Sequence, residues 1–322
     1  MTHIRTLGVA AAALLLAAPA DAQRQVNARH DASPTGRVEI QLNRGSLRVT
    51  GWARNEVQVT GTLAQADDAV RLDGGGRTLE VRVASRRGGR GGPANLEVRV
   101  PAGSTVEIVA TSAPVSVTGI TGSLEAVSQS GPVTVQGNSR RVQVVAHSGP
   151  VTIDGRAETL NVTALSGPVR VNADVRQRAQ IEALSGPVDL LGTMGEVQVN
   201  SVSGPVRVAN ATGRVQIEAV SGNVIVNGTG LRGNVESVAG GIVVAGTLGG
   251  ALALESHGGD VELRLPAGSG AQVQVSTFSG GLRSDFGDGR ESVGGDRRVT
   301  IGRGGPTVRI TTFSGDVKLR RR

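Results

Sequence analysis

The chain has 322 residues, 48 of them Gly and 12 Pro, with four aromatic residues, no Cys, no Tyr, a formal net charge of +7 and 38% hydrophobic residues. That much Gly excludes an ordinary helical domain, while the apolar fraction, mostly Val, Ala, Leu and Ile, is enough for a core of small and β-branched side chains. Without Cys there is no thiol nucleophile, disulfide, zinc-thiolate or iron–sulfur site and no acylated cysteine anchor, and the four His at 3, 30, 147 and 257 are scattered.

Residues 1–22 read as an export signal: Arg5 supplies the positive start, Leu7 to Ala18 is an apolar run too short to span a bilayer, and Ala20-Asp21-Ala22 precedes a cut at Gln23. Cleavage removes Arg5 and Asp21 and leaves 33 basic against 26 acidic residues, still +7. The expectation is a bacterial protein exported to the periplasm or cell surface, with no integral span in the mature chain. Residues 23–36 read as a linker. Over 37–101, β-like runs at Val38 to Leu42, Leu47 to Val49, Val57 to Thr60, Leu79 to Val83 and Leu96 to Val100 alternate with Gly-rich turns, which predicts an N-terminal β cap.

From 102 to 265 the chain repeats. Ser-Gly-Pro-Val recurs at Ser130, Ser148, Ser166, Ser185 and Ser203, spaced 18, 18, 19 and 18, with degenerate copies at Ser112, Ser221 and Ala239. At that period the columns Val133, Val151, Val169, Val188, Val206, Val224, Ile242 and Val135, Ile153, Val171, Leu190, Val208, Val226, Val244 are apolar around a mostly polar column, the alternation of a half-buried strand. A turn marked by Gly137, Gly155, Gly192, Gly228 and Gly246 leads to a second strand, with Val144, Val162, Ile181, Val199, Ile217 and Val235 beside a small-residue column of Ala146, Ala164, Ala183, Ser201, Ala219 and Ser237. Eighteen residues cannot bury an apolar face alone, but stacked coils can. The prediction is an all-β fold, a single parallel β-solenoid of about 18 residues and two short strands per coil with β caps at both ends, coils lying about 4.8 Å apart. The alternative is an antiparallel sandwich. Pro opens each first strand, where no central ladder donor is needed, and Gly makes the corner before it.

Residues 266–322 are predicted as irregular coils and a C-terminal cap. Thr277-Phe278-Ser279-Gly280 and Thr312-Phe313-Ser314-Gly315 are 35 apart, about two coils with an insertion between them. Phe278, Phe286 and Phe313 are expected to fill a widened last core layer, with a ligand platform as the other reading.

Gly45-Ser46-Leu47-Arg48-Val49-Thr50-Gly51-Trp52, the Val100-Pro101-Ala102-Gly103 step, the Ser-Gly-x-Val units and Phe313-Ser314-Gly315-Asp316-Val317 together resemble the bacterial "putative-adhesin" family, a β-strand-repeat domain of unknown function, over Val38 to Leu319. The resemblance implies a β-solenoid with surface, adhesive or envelope-associated roles and carries no catalytic motif.

Gly228-Thr229-Gly230-Leu231-Arg232-Gly233 matches a dinucleotide loop, but no helical period follows it. Asp285-Phe286-Gly287-Asp288-Gly289 lacks the acidic spacing of a calcium loop. His147 falls in a column with Gln129, Leu165, Leu184, Val202, Val220 and Val238, expected to be semi-buried. Two outward ladders stand out. The amides Gln143, Asn161, Gln180, Gln198, Gln216 and Asn234 can hydrogen-bond up the stack. The carboxylates Glu182, Glu218, Glu236 and Glu255 share a column in which like charges repel, bind a cation, pair with Arg or splay into water. Basic clusters at Arg86, Arg87 and Arg90, at Arg297, Arg298 and Arg303, and at Lys318, Arg320, Arg321 and Arg322 attract polyanions or protect solenoid ends.

The sequence therefore points to an exported, non-enzymatic, adhesin-like binding module of the cell envelope. It would contact a surface polymer, anionic in one reading, through its walls and basic ends. The alternative is a self-associating structural scaffold, and a minor one is a polysaccharide-active β-helix enzyme using the stacked carboxylates. No cofactor or metal is expected, and nucleic acid is a disfavoured partner.

Overall fold

The computed structural model describes residues 24–75, 77–85, 91–286 and 292–322. The export signal and Arg86, Arg87 and Arg90 lie outside the described residues. Those residues form strands and turns without a helix. The N-terminal part holds β1 (Arg24–Asp31), β2 (Arg37–Trp52), β3 (Glu56–Leu63), β4 (Asp68–Gly75), β5 (Thr78–Ser85) and β6 (Ala94–Pro101). The repeats hold β7 (Thr105–Ser112), β8 (Val115–Thr118), β9 (Ser123–Ser130), β10 (Val133–Ser148), β11 (Val151–Ser166), β12 (Val169–Ser185), β13 (Val188–Leu190), β14 (Met194–Ser203), β15 (Val206–Ser221), β16 (Val224–Ser237), β17 (Ile242–Ser256) and β18 (Val261–Leu265). The C-terminal part holds β19 (Ala271–Ser284), β20 (Ser292–Ile301), β21 (Thr307–Thr312) and β22 (Val317–Arg321).

Every pairing between β7 and β18 is parallel, which removes the antiparallel sandwich and leaves a β-solenoid-like fold. The register follows the repeat: Val133 lies beside Val151, Val151 beside Val169, Val169 beside Val188 and Val188 beside Val206. Each coil contributes to two walls. The first wall carries the column from Val133 to Ile242, the second the column from Val144 to Val235. Both point inward, with exposures of 0 to 1%. The two strands of a coil are separate at β8 and β9 and at β13 and β14. Elsewhere they run on as one bent strand of 14 to 17 residues, rather than two short ones. The bend keeps the ladder intact because Gly137 (φ 129) and Gly155 (φ 125) stack in register at the turn and reach a backbone region that Cβ-bearing residues avoid.

Both ends depart from chain order. At the N-terminal end the first half of β2 sits between β5 and β7 and its second half between β6 and β8, so the chain leaves β2, builds the outer strands and returns to its inner side. There β3 pairs antiparallel with β6, and β4 with β5. The stretch 23–36, expected as a linker, contains β1, antiparallel to β3; its alternating burial leaves Val26 packed against the core. At the C-terminal end β21 inserts between β17 and β19, and β22 between β18 and β19, while β20 pairs antiparallel with β19. Thr277 and Thr312 are thus neighbours in adjacent strands, not two coils apart: the 35-residue spacing is taken up by the β20 excursion.

An exposed groove along the second wall

On the second wall, residues between the inward columns point outward. Glu182, Asn200, Glu218, Glu236 and Glu255 lie in register on consecutive coils, and the column runs on through Thr311 and Ser276. Two residues further along each coil is an apolar rail: Leu165 (39% exposed), Leu184 (52%), Val202 (45%), Val220 (50%) and Val238 (54%). Between the two rails lie Ala164, Ala183, Ser201 and Ala219, whose side chains turn inward, so the projecting rails flank a groove of about 590 Å³ floored by backbone. A second section of about 420 Å³ shares Glu236 and Val238 with the first and continues past Glu255, His257, Phe313 and Phe278. Among the described residues, no Lys or Arg lines either section.

The aromatic residues correct an expectation. Phe278 (74% exposed) and Phe313 (52%) do not fill the core; they extend the apolar rail outside it. Their centroids are 4.8 Å apart with planes at 3°, and His257 follows at 5.9 Å and 16° from Phe313. That distance is the spacing of neighbouring strands, so register sets the rings face to face. Their outward direction comes from the preceding threonines. Thr312 Oγ1 accepts a bond from Gly315 N (2.9 Å) and Thr277 Oγ1 donates to Gly280 O (3.0 Å), buried roles that leave the next residue facing solvent. Phe286 is half-buried and packs against the core, with the Arg321 guanidinium 5.5 Å over its ring. His147, expected to be semi-buried, is exposed.

The small-residue column also caps the corners. Ser237 Oγ accepts from Gly240 N (3.0 Å) and Ser256 Oγ from Gly259 N (2.9 Å). Ser201 breaks the pattern: it is 3% exposed, lines the groove, and its Oγ has no partner among the described residues. Gly204 N, which could have met it, donates instead to Ser221 O at 3.2 Å. A buried hydroxyl left unbonded is costly, and the inward parity of this column puts it beneath the backbone of the groove floor.

The amide ladder is in register as expected from Gln143 to Asn234. Among the described residues its members make no bond to one another. Gln180 Nε2 instead donates sideways to Glu182 (3.2 Å), and Asn234 Nδ2 to Glu236. Arg-paired carboxylates of this wall lie in other columns: Glu196 with Arg178 at 3.3 Å, and Glu107 with Arg37. Glu218 and Glu255 make no hydrogen bond or ion pair among the described residues.

The predicted basic clusters are divided. Arg297 and Arg298 of β20 join Asp296 and Arg309 around a pocket of about 450 Å³, and Arg303 stands exposed in the turn before β21. On β22, Lys318 is bound to Asp260 (2.8 Å) and Arg320 to Asp285 (3.0 Å), while exposed Arg322 donates its backbone N–H to Leu265 O. The Lys318 ammonium, aided by the Asp316 N–H, holds the Asp260 carboxyl below the usual carboxylate range against the opposing effect of burial. The Arg321 N–H and then Arg320 lower Asp285 in the same way. Sequence reasoning missed the apolar rail as a site, although its signal was present: an apolar residue one position after each buried small residue has outward parity.

Solved structures similar to this chain include one described as a putative adhesin from Parabacteroides merdae (11% identity, 92% of this chain and 96% of that one, TM-score 0.38). Another, from Parabacteroides distasonis, carries the same description (10%, 94% and 98%, TM-score 0.36). A third is described as a putative lipid binding protein from Parabacteroides distasonis (12%, 92% and 96%, TM-score 0.34). No curated protein matches the chain. The Toastrack DUF4097 family model matches residues 35–229 and 211–320, covering both walls and both intercalated ends, and the chain belongs to that family.

Proposed function

We propose that this protein is a non-enzymatic binding module, exported to the bacterial cell envelope, whose parallel coils wind as one solenoid and hold an elongated surface polymer along the groove of the second wall. The carrying observation is the apolar rail, exposed from Leu165 to Phe278 on consecutive strands. A contiguous apolar surface of this kind marks an interaction site, whereas singly scattered exposed residues do not. Export rests on the sequence of residues 1–22. The test is binding of the purified protein to isolated envelope fractions across a salt titration, beside V202S/V220S/V238S. Saturable binding that survives high salt and is lost in the variant supports the groove, because apolar contact is not screened as exposed charge pairing is. Equal binding by both proteins refutes it.

A second reading, contact with an anionic polymer at the C-terminal end, is favoured by the gathering of Arg297, Arg298 and Arg309 around one pocket. It predicts binding that disappears as salt rises and is lost in R297S/R298S.

A further inference from the structure

The groove is an acidic strip on a chain of net charge +7. One rail carries four carboxylates on five consecutive coils, the other is apolar, and among the described residues no cation lines either section. An anionic partner would meet like charge along this whole face, and a neutral lipid chain would leave the carboxylates without a function. What complements both rails is a molecule bearing cations on one side and apolar groups on the other.

Length adds a third requirement. The apolar rail spans eight positions from Leu165 to Phe278, roughly 34 Å at about 4.8 Å per strand. An extended polypeptide covers that length with about ten residues at ~3.4 Å each, and carries backbone amides throughout.

We infer that the groove binds an extended polypeptide segment rich in both Lys or Arg and apolar residues, its cations along Glu182, Glu218, Glu236 and Glu255, and its apolar side chains along Val202, Val220, Val238 and the Phe313–Phe278 stack. Same-face side chains of such a peptide repeat at about 6.8 Å, out of step with the strand spacing of about 4.8 Å. Recognition is therefore by composition rather than by a fixed sequence. The assignment rests on the groove being the binding site proposed above.

The experiment is fluorescence anisotropy of a labelled ten-residue peptide of alternating Lys and Leu, titrated with the full chain, against a control peptide of alternating Glu and Leu. The Lys peptide binds and the Glu peptide does not. E218Q/E236Q/E255Q, three outward substitutions that leave the core intact, weakens the Lys peptide about tenfold, the combined effect of three part-exposed charge contacts. V202S/V220S/V238S weakens it at least as much. Failure of the wild-type chain to bind the Lys peptide, or equal affinity of the Gln variant and wild type, overturns the inference. The functional reading is judged separately: if envelope fractions still bind wild type but not V202S/V220S/V238S, the groove stands and only the polypeptide assignment falls. If both bind alike, the groove itself is wrong.

Discussion

The corner glycines set the distance between coils, and Gly204→Ala tests that directly. Gly204 has φ +120 and stacks on Gly186 of the preceding coil. A Cβ there would lie 2.3 Å from the Gly186 carbonyl oxygen, 2.7 Å from its carbon and 3.2 Å from Pro187 N, all backbone atoms that cannot rotate away. Ordinary contact begins at 3.4 Å, so the corner must open by about 1 Å. The bonds from Gly186 N to Ser203 O (3.0 Å) and from Gly204 N to Ser221 O (3.2 Å) then stretch beyond bonding range. A non-Gly residue held at that φ costs about 1–3 kcal/mol, and each lost bond about 1 kcal/mol more. The expected loss is about 3–5 kcal/mol, a large share of a typical stability of about 5–15 kcal/mol. Urea unfolding followed by far-UV circular dichroism measures it; Trp52 fluorescence, reporting from the N-terminal part, shows whether that end unfolds together with the repeats. The control is Gly75→Ala, where nothing lies within 4 Å of the new methyl, and stability should be unchanged or slightly raised. A Gly204→Ala variant within 1 kcal/mol of wild type would refute the argument that the glycine column fixes the coil spacing.

Three further outcomes follow from the same structure. Deleting residues 307–322 removes β21 and β22 from between β17–β18 and β19, so limited proteolysis should digest the chain back to about residue 265, not merely shorten it by one coil. Lys318→Met should destabilise the protein at neutral pH by less than about 1 kcal/mol, since the pair is part-exposed and screened. Asp260 is held below its ordinary value of 3.8, so its contribution is present above that pH and lost as pH falls through the lower folded value; the gap between variant and wild type should close below about pH 4. Phe278→Ser with Phe313→Ser should change the unfolding midpoint little, because both rings are mostly in water, while weakening partner binding; a loss above about 2 kcal/mol would mean the rings serve the fold.

The repeat region was legible because each column has one physical job. Val133, Val151 and Val169 must all fill the same core layer, and the Gly-Pro corner must recur wherever backbone approaches backbone, so both appear as a period in the chain. The ends were not legible, because their neighbours in space are not neighbours in sequence. Nothing local in Thr277 or Thr312 shows that a hairpin of β19 with β20 intervenes, or that β21 returns to fill a gap already flanked on both sides. The composition argument that large rings belong inside fails for Phe278 and Phe313, where parity decides otherwise: each follows a buried threonine and so faces out, while Phe286, which follows Asp285, does pack against the core. The 23–36 stretch looked like a linker because its alternation, carried by Val26 and Ala28 among polar residues, is weak without β3 beside it.

The central claim, that the second wall is the contact surface, is tested most directly by site protection. The chain has no Cys, so a single thiol can be placed in the groove by Val220→Cys or on the first wall by Arg170→Cys, where the native side chain is 64% exposed. Maleimide labelling is then measured with and without saturating envelope fractions. Slowed labelling of the Val220→Cys thiol with unchanged labelling of the Arg170→Cys thiol is the predicted result; protection of the first-wall thiol alone would contradict the account.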